Sequence, residues 1–185
     1  MSEPIFVELQ ATPFAFISLR SSLADMPTIV GQGFGTLGEL FAAAGVQMAG
    51  NPMAHYLDFD AQSVTFELGF PASEADVDKL RSAGLSIGRM PGGRNMIATH
   101  IGPYNTVSET YSTIDAAMKS QGVTGSKDMW ESYLSPPETP PEQTRTDVIW
   151  PLVPAAEKSA CPMTTLVAYY SNTGSHGSNQ LSPAA

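Results

Sequence analysis

Alternating apolar and polar positions predict most of the strands in this chain. The clearest alternation is at residues 63–70, where Val64, Phe66, Leu68 and Phe70 are separated by polar or small side chains. A period of two is typical of a strand with one buried face. Strand character is also present at residues 5–9, 14–19, 54–59, 85–90, 95–100, 129–134 and 145–152.

Two stretches instead show the spacing of an amphipathic helix. The first carries Val30, Phe34, Leu37, Phe41 and Ala44, and the second carries Val107, Tyr111, Ile114 and Met118. Gly45 and Gly122 follow these stretches, and glycine is common directly after a helix because it tolerates a positive φ angle. The polar segment 74–82 predicts a third, shorter helix.

Two local motifs add detail to this pattern. Thr106 and Glu109 have the spacing of a capping box at the start of the second amphipathic helix. Pro-Gly-Gly at 91–93 lies between two strand segments and predicts a hairpin turn.

The two halves of the chain resemble each other when the first is shifted by 77 positions. Val30 then falls on Val107, Gly45 on Gly122, and Tyr56 on a second tyrosine. Each half reads as strand, helix, strand, strand. We therefore predict an α+β fold of duplicated units with pseudo-two-fold symmetry, an antiparallel sheet with helices packed on one face, and a ligand cleft at the axis. The predicted domain is 1–153, with repeats at about 1–72 and 85–153, followed by a polar tail at 154–185.

Composition narrows the classes of function. The 185 residues hold 9 Lys and Arg against 18 Asp and Glu, so the formal net charge is −9. Without a basic cluster, nucleic acid is not an expected partner. We also find no signal peptide and no apolar run long enough to span a membrane, so a cytoplasmic location is expected. One cysteine and three histidines without metal-ligand spacing indicate neither a metal site nor a cofactor.

Glu131 is the most informative polar residue. In the strand at 129–134 it shares a face with Met129 and Tyr133, and a carboxylate in such a setting is costly unless something pairs with it. The shift of 77 places Glu131 opposite Ala54, so the carboxylate breaks the repeat on the face that also holds Tyr56. The alternative is a solvated glutamate on an edge strand. For the two tyrosines the alternative is core packing with the hydroxyl group bonded.

Other candidate residues favour structural roles. His100, at the end of a strand, is expected to satisfy loop groups. Glu67 and Asp147 stand four residues before a proline in each half, which indicates a repeated structural feature. The segment 33–38 matches G-x-G-x-x-G but lies inside the helical register, where that motif does not bind a dinucleotide.

Four segments together resemble the GyrI-like family, the effector-binding domain of AraC-type and MerR-type multidrug regulators, which also occurs as a free-standing protein. They are 56–60 (YLDFD), 64–71 (VTFELGFP), 100–104 (HIGPY) and 130–134 (WESYL). The resemblance covers residues 1–153. It implies a cleft at the pseudo-two-fold axis in which Glu131 faces lipophilic cations and aromatic residues surround it. The implied ligand-binding residues are Glu131, Tyr133, Tyr56 and Tyr104, the last placed there mainly by the resemblance.

Three functions are then open. The leading hypothesis is a protein that binds small, apolar or cationic molecules to sense or sequester toxic compounds. The second is a hydrolase of electrophilic, cyclopropane-type compounds with Glu131 as general base. The third is an inhibitor of DNA gyrase. A protein partner, if the chain has one, would be DNA gyrase or a separate regulator. The chain opens directly on a strand with no helix-turn-helix before it, so it is not expected to bind DNA itself.

Overall fold

One antiparallel sheet with three helices organises the part of the chain that the structure, a computed structural model, describes: residues 1–60, 62–136 and 138–153. The predicted polar tail at 154–185 lies outside the described residues. The strands are β1 (Ile5–Leu9), β2 (Pro13–Ser22), β3 (Met53–Phe59), β4 (Ser63–Pro71), β5 (Ser86–Arg89), β6 (Gly93–Ile101), β7 (Met129–Tyr133) and β8 (Arg145–Pro151). The helices are α1 (Met26–Ala44), α2 (Val77–Ser82) and α3 (Val107–Ser120).

The strands are ordered β1-β6-β8-β7-β3-β4-β2-β5, and every neighbouring pair is antiparallel. The predicted α+β class with an antiparallel sheet is confirmed. Exchanging β1 with β5, β2 with β6, β3 with β7 and β4 with β8 gives the same order read from the opposite edge of the sheet. At the centre, β3 and β7 pair with Ala54 opposite Glu131. The sheet order is compatible with duplicated units; the duplication itself stays a prediction.

Helices α1 and α3 pack on the same face of the sheet. Tyr56 belongs to the apolar cluster beneath α1, and its cross-strand partner Met129 belongs to the cluster beneath α3. Residues paired across two strands project from the same face. The opposite face has its own buried cluster, which includes Met53 and Trp130. Both faces of the central strands are therefore shielded from water.

Helix α1 forms as its apolar pattern predicts. Phe34, Leu37 and Phe41 are buried against the sheet. Gly45 ends the helix with φ 65°, and its amide donates to the carbonyl of Ala42. None of the described helices has both the length and the hydrophobicity that a bilayer-spanning segment needs.

Two local predictions were wrong. Residues 91–93 do not form a hairpin, because β5 pairs with β2 at one edge of the sheet, whereas β6 pairs with β1 and β8 near the other edge. The capping box is also absent. The hydroxyl of Thr106 donates to the carbonyl oxygen of Pro103 at 2.8 Å, and its side chain makes no capping bond to α3.

Candidate functional site

Four tyrosine hydroxyl groups surround the carboxyl of Glu131, which is fully buried in β7. Tyr111 donates to Oε1 at 2.7 Å. Tyr56 and Tyr133 each donate to Oε2 at 3.1 Å, and Tyr104 donates to the same oxygen. We call these four residues the tyrosine cluster. Glu131 therefore has internal partners, and the alternative of a solvated glutamate on an edge strand is wrong.

Each member of the cluster comes from a different element. Tyr56 lies on β3 and Tyr133 on β7, and Tyr111 lies in α3. Tyr104 begins a 3-10 turn, Tyr104–Thr106, directly before α3. Gly102 precedes this turn with φ 134°, a conformation that other residues rarely adopt. The glycine allows the chain to leave β6 and bring Tyr104 over the sheet.

His100 connects the same loop to α3 through hydrogen bonds. Its Nδ1 lies 3.0 Å from the hydroxyl of Thr110, and its Nε2 lies 3.2 Å from the carbonyl oxygen of Pro103. Burial lowers the pKa of His100, although the carbonyl contact opposes this shift. These contacts agree with the predicted structural role of His100 in the loop.

Burial also controls the charge of Glu131. Removal from water raises its pKa to about 8, although hydrogen bonds from Tyr133 and Tyr56 oppose the shift. The carboxyl is therefore mostly protonated at neutral pH. A protonated carboxyl needs an acceptor, and the hydroxyls of Tyr56 and Tyr104, 3.1 Å apart, belong to a network that can supply one. With its proton in place, the carboxyl donates to one of the hydroxyls beside Oε2, which then accepts from it instead of donating, and the cluster is neutral.

An open groove of about 640 Å³ lies beside the tyrosine cluster. It runs between α1 and the chain segments that flank β3 and β7, and Tyr133 forms part of its wall. Glu131, Tyr56 and Tyr104 are not among the groove residues. The lining residues are Phe34, Gly35, Gly38, Glu39, Ala42, Met48, Asn51, Pro52, Phe70, Tyr133, Leu134, Ser135 and Pro136.

The structure thus brings together all four residues singled out from the sequence, namely Glu131, Tyr133, Tyr56 and Tyr104. Sequence reasoning missed Tyr111, which was counted only as an apolar position of a helix. A signal was present, because the shift of 77 places Tyr111 opposite Phe34. The second half has a hydroxyl group at position 111, where the first half has Phe34, and a carboxyl group at position 131, where the first half has Ala54. These two polar groups are hydrogen-bonded to each other.

A second polar cluster lies on the other face of the sheet. His55 contacts Glu67 through Nδ1 at 2.8 Å and Asp128 through Nε2 at 3.0 Å, and its ring stacks on Trp130 at 3.9 Å. Burial lowers the pKa of His55, but the two carboxylates outweigh it and raise the pKa overall. Within the described ranges, no group of three or more His, Cys, Asp or Glu side chains is arranged to hold a metal ion.

Solved structures share this fold at low sequence identity. A hydrolase encoded by lin2189 from Listeria innocua is 13% identical with a TM-score of 0.55, and the match covers 82% of this chain and 92% of that one. The structure of SAV2435 bound to tetraphenylphosphonium is 12% identical with a TM-score of 0.59, covering 82% and 94%. The EcmrR C-terminal domain is 14% identical with a TM-score of 0.62, covering 83% and 98%.

No curated protein sequence matches this chain. A family model does: the GyrI-like small molecule binding domain matches residues 2–153, which is nearly all of the described chain. The sheet, the helices on one face and the extent of the match lead to one conclusion, that this chain belongs to the GyrI-like family.

Proposed function

We propose that this protein binds small lipophilic molecules, cations among them, in the groove beside Tyr133, and so senses or sequesters toxic compounds. The observation that carries the proposal is an apolar groove of about 640 Å³ whose tyrosine wall is hydrogen-bonded to a buried carboxyl. Its volume is in the usual range for small-molecule sites. Membership of a small-molecule-binding family supports the proposal, and so does the tetraphenylphosphonium bound to SAV2435.

Aromatic rings give the groove its affinity for apolar ligands. Phe34 packs edge to face against Tyr133 at 6.1 Å and against Phe70 at 6.2 Å between ring centroids. Such rings offer a large apolar area, and their faces also attract cations. A ligand with aromatic groups and a delocalised positive charge matches both properties.

Glu131 has an indirect role in this proposal. Tyr133 lies between the carboxyl and the groove, so a ligand in the groove touches the tyrosine ring first. The bond from the Tyr133 hydroxyl to Glu131 holds this ring in place. The carboxyl is therefore a positioning residue for the inner wall of the groove.

The test is a substitution that places a side chain in the groove and leaves the tyrosine cluster unchanged. Gly38 lines the groove, and a Cβ atom there would meet nothing within 4 Å, so Gly38→Leu places a side chain in open space. Gly31→Leu is the matched control, because Gly31 is equally open but lies outside the groove. We expect tetraphenylphosphonium to raise the melting temperature of the wild type and of Gly31→Leu, and to bind Gly38→Leu at least about tenfold more weakly. Equal affinities in the two variants, or no binding by the wild type, would contradict the proposal.

A hydrolase is the second candidate, and one observation favours it. A carboxyl whose pKa is about 8 is close to the optimum for a general base at neutral pH. In this hypothesis Glu131 removes a proton from water as the water oxygen bonds to an electrophilic ring carbon of a cyclopropane-type substrate. The strained C–C bond to that carbon breaks, its electron pair passes to the electron-withdrawing group of the substrate, and that group takes up a proton. The fold is shared with a protein described as a hydrolase.

The two candidates differ in their response to Glu131→Gln. An enzyme would lose turnover while still binding its substrate, and in the wild type the rate would rise with pH until about 8, as Glu131 loses its proton. Product formation followed by mass spectrometry separates these cases. Turnover that persists in Glu131→Gln would exclude Glu131 as the base.

A further inference from the structure

Among the residues that the structure describes, the groove is lined by a single ionisable acid or base with an exposed side chain, Glu39 on α1. Tyr133 is the only other titratable lining residue among those the structure describes, and it is neutral at physiological pH. An exposed glutamate carries a negative charge at neutral pH. The fixed charge of the groove is therefore negative and comes from one carboxylate.

Among the described residues, the carboxylate of Glu39 has no polar partner that would stabilise the fold. Several acidic side chains elsewhere in the protein have cationic partners, such as Asp76 with Lys79 at 3.0 Å and Glu74 with Arg89 at 2.6 Å. None of the ion pairs or side-chain hydrogen bonds among the described residues includes Glu39. Its charge is available to a ligand.

The helix surface next to Glu39 lacks side chains at two positions. Gly35 and Gly38 precede it on the same face of α1, and a Cβ atom at either position would meet nothing within 4 Å. Packing explains another glycine of the helix, because a Cβ atom at Gly33 would lie 2.8 Å from Leu68. It does not explain these two, although glycine is among the least favourable residues in a helix interior. Their effect is to leave an open, flat floor next to Glu39.

The other carboxyl of the site is screened from the groove. Glu131 is fully buried and its carboxyl is hydrogen-bonded to four tyrosine hydroxyls. Tyr133 lines the groove, whereas Glu131 does not. A ligand in the groove therefore meets the ring of Tyr133 on one side and the carboxylate of Glu39 on the other.

We propose that Glu39 is the residue that selects positively charged ligands in this groove, an inference that rests on the small-molecule binding proposed above. The ligand is an aromatic cation. Its ring lies over Gly35 and Gly38 against Phe34 and Tyr133, and its positive centre lies near the carboxylate of Glu39.

The experiment compares a cationic and a neutral probe of similar shape, tetraphenylphosphonium and triphenylphosphine oxide, by isothermal titration at pH 7. In Glu39→Gln we expect the cation to bind about five- to tenfold more weakly, the size of one charge–charge interaction in a partly exposed site, and the neutral probe to bind within twofold of wild type. Glu8→Gln is the matched control. It removes the same charge from β1, at an edge of the sheet, where Glu8 is exposed, and both affinities should stay within twofold.

Glu131→Gln is the comparison at the buried carboxyl. We expect the ratio of cation to neutral affinity to fall more in Glu39→Gln than in Glu131→Gln, whatever the absolute affinities become. The proposal is overturned by an unchanged ratio in Glu39→Gln, or by a ratio that falls only in Glu131→Gln. Binding of neither probe by the wild type would overturn the proposed function and this inference with it, whereas binding of both with a wrong ratio overturns this inference alone.

Salt gives an independent check on the same samples. An exposed charge is screened by ions, so the preference of the wild type for the cation should weaken between about 0.05 M and 0.5 M salt. The ratio in Glu39→Gln should be nearly independent of salt. A preference that does not respond to salt would contradict an exposed carboxylate as its source.

Discussion

At Glu131 the folded chain holds a proton that the unfolded chain releases at the same pH. The pKa of this carboxyl is about 8 in the folded protein, against an ordinary value near 4.5. A raised pKa means that the stabilising contribution is complete below about 4.5 and is lost as pH rises to about 8. The free energy of unfolding should therefore fall by up to about 1.4 kcal/mol per pH unit in this window from Glu131 alone.

Glu131→Gln tests this linkage, because the amide keeps the shape of the acid and does not titrate. Urea unfolding of both proteins at about pH 5, 6, 7, 8 and 9 gives the difference in their free energies of unfolding. We expect the variant to gain on the wild type as pH rises and the difference to level off above about 8. A constant difference at every pH would show that the carboxyl titrates normally.

Glu131 could be singled out from the sequence because strand alternation, which is a local pattern, was sufficient to place it. Alternation placed it on one face of a strand with Tyr133, and a single sequence comparison matched that strand to the one with Tyr56. The burial of Tyr111 was also predicted, but its hydroxyl was not assigned a partner. That partner lies on β7, and nothing local to α3 indicates how closely helix and strand approach.

On the scale of a single element, α1 contains glycines with two different roles. Gly33 is close to Leu68, whereas Gly31 has open space around its Cα atom. Gly31→Ala should raise the free energy of unfolding by about 0.5–1 kcal/mol, because alanine favours the helix. Gly33→Ala should lower it, because a Cβ atom 2.8 Å from Leu68 Cδ1 and 3.0 Å from Leu19 Cδ1 displaces the buried Leu68 and the partly buried Leu19.

Urea unfolding at a single pH is enough for this comparison, since neither substitution changes charge. Helix content from circular dichroism should stay within error of the wild type in both variants. The opposite order of stability, with Gly33→Ala above Gly31→Ala, would show that packing does not limit position 33.

Elements were predicted more reliably than the connections between them. The strand and helix segments follow from periodicity, and most agree with the structure within a few residues. The turn at 91–93 has the composition of a hairpin, yet β5 and β6 pair with strands from the first half of the chain and with β8. Pairing partners depend on the whole sheet, so a turn signal cannot identify them. Thr106 likewise has the capping pattern but bonds to the loop beneath it.

At the scale of the whole molecule, two titrating clusters favour mildly acidic conditions. The pKa of His55 is raised by Asp128 and Glu67, after the opposing effect of burial, so this contact is complete below about 6.5 and is lost as pH rises further. The hydrogen bond from His55 lowers the pKa of Asp128 from 3.8 to about 2, so its contribution is present above 3.8 and is lost as pH falls below that value. Glu131 adds a further loss of stability as the pH rises from about 4.5 to about 8.

We therefore expect the melting temperature to be highest at about pH 4–6 and to decline toward pH 9. The net charge, which is already −9 at pH 7, adds repulsion in the upper part of this range. Differential scanning calorimetry across this range measures the profile. His55→Gln should flatten the part above about 6.5 and leave the part due to Glu131 in place. A maximum at pH 8 or above would contradict both assignments.

The central pairing of Ala54 with Glu131 limits what a protein with two identical halves could be. In such a protein the residues at this point would be the same, and two glutamates would face each other about 5 Å apart in a dry interior. Two acids that close share protons and cannot both ionise. Joining unequal halves in one polypeptide removes that conflict. One half contributes the acid of Glu131 and the other contributes the methyl group of Ala54. The proton is then held by one carboxyl group and is not shared between two.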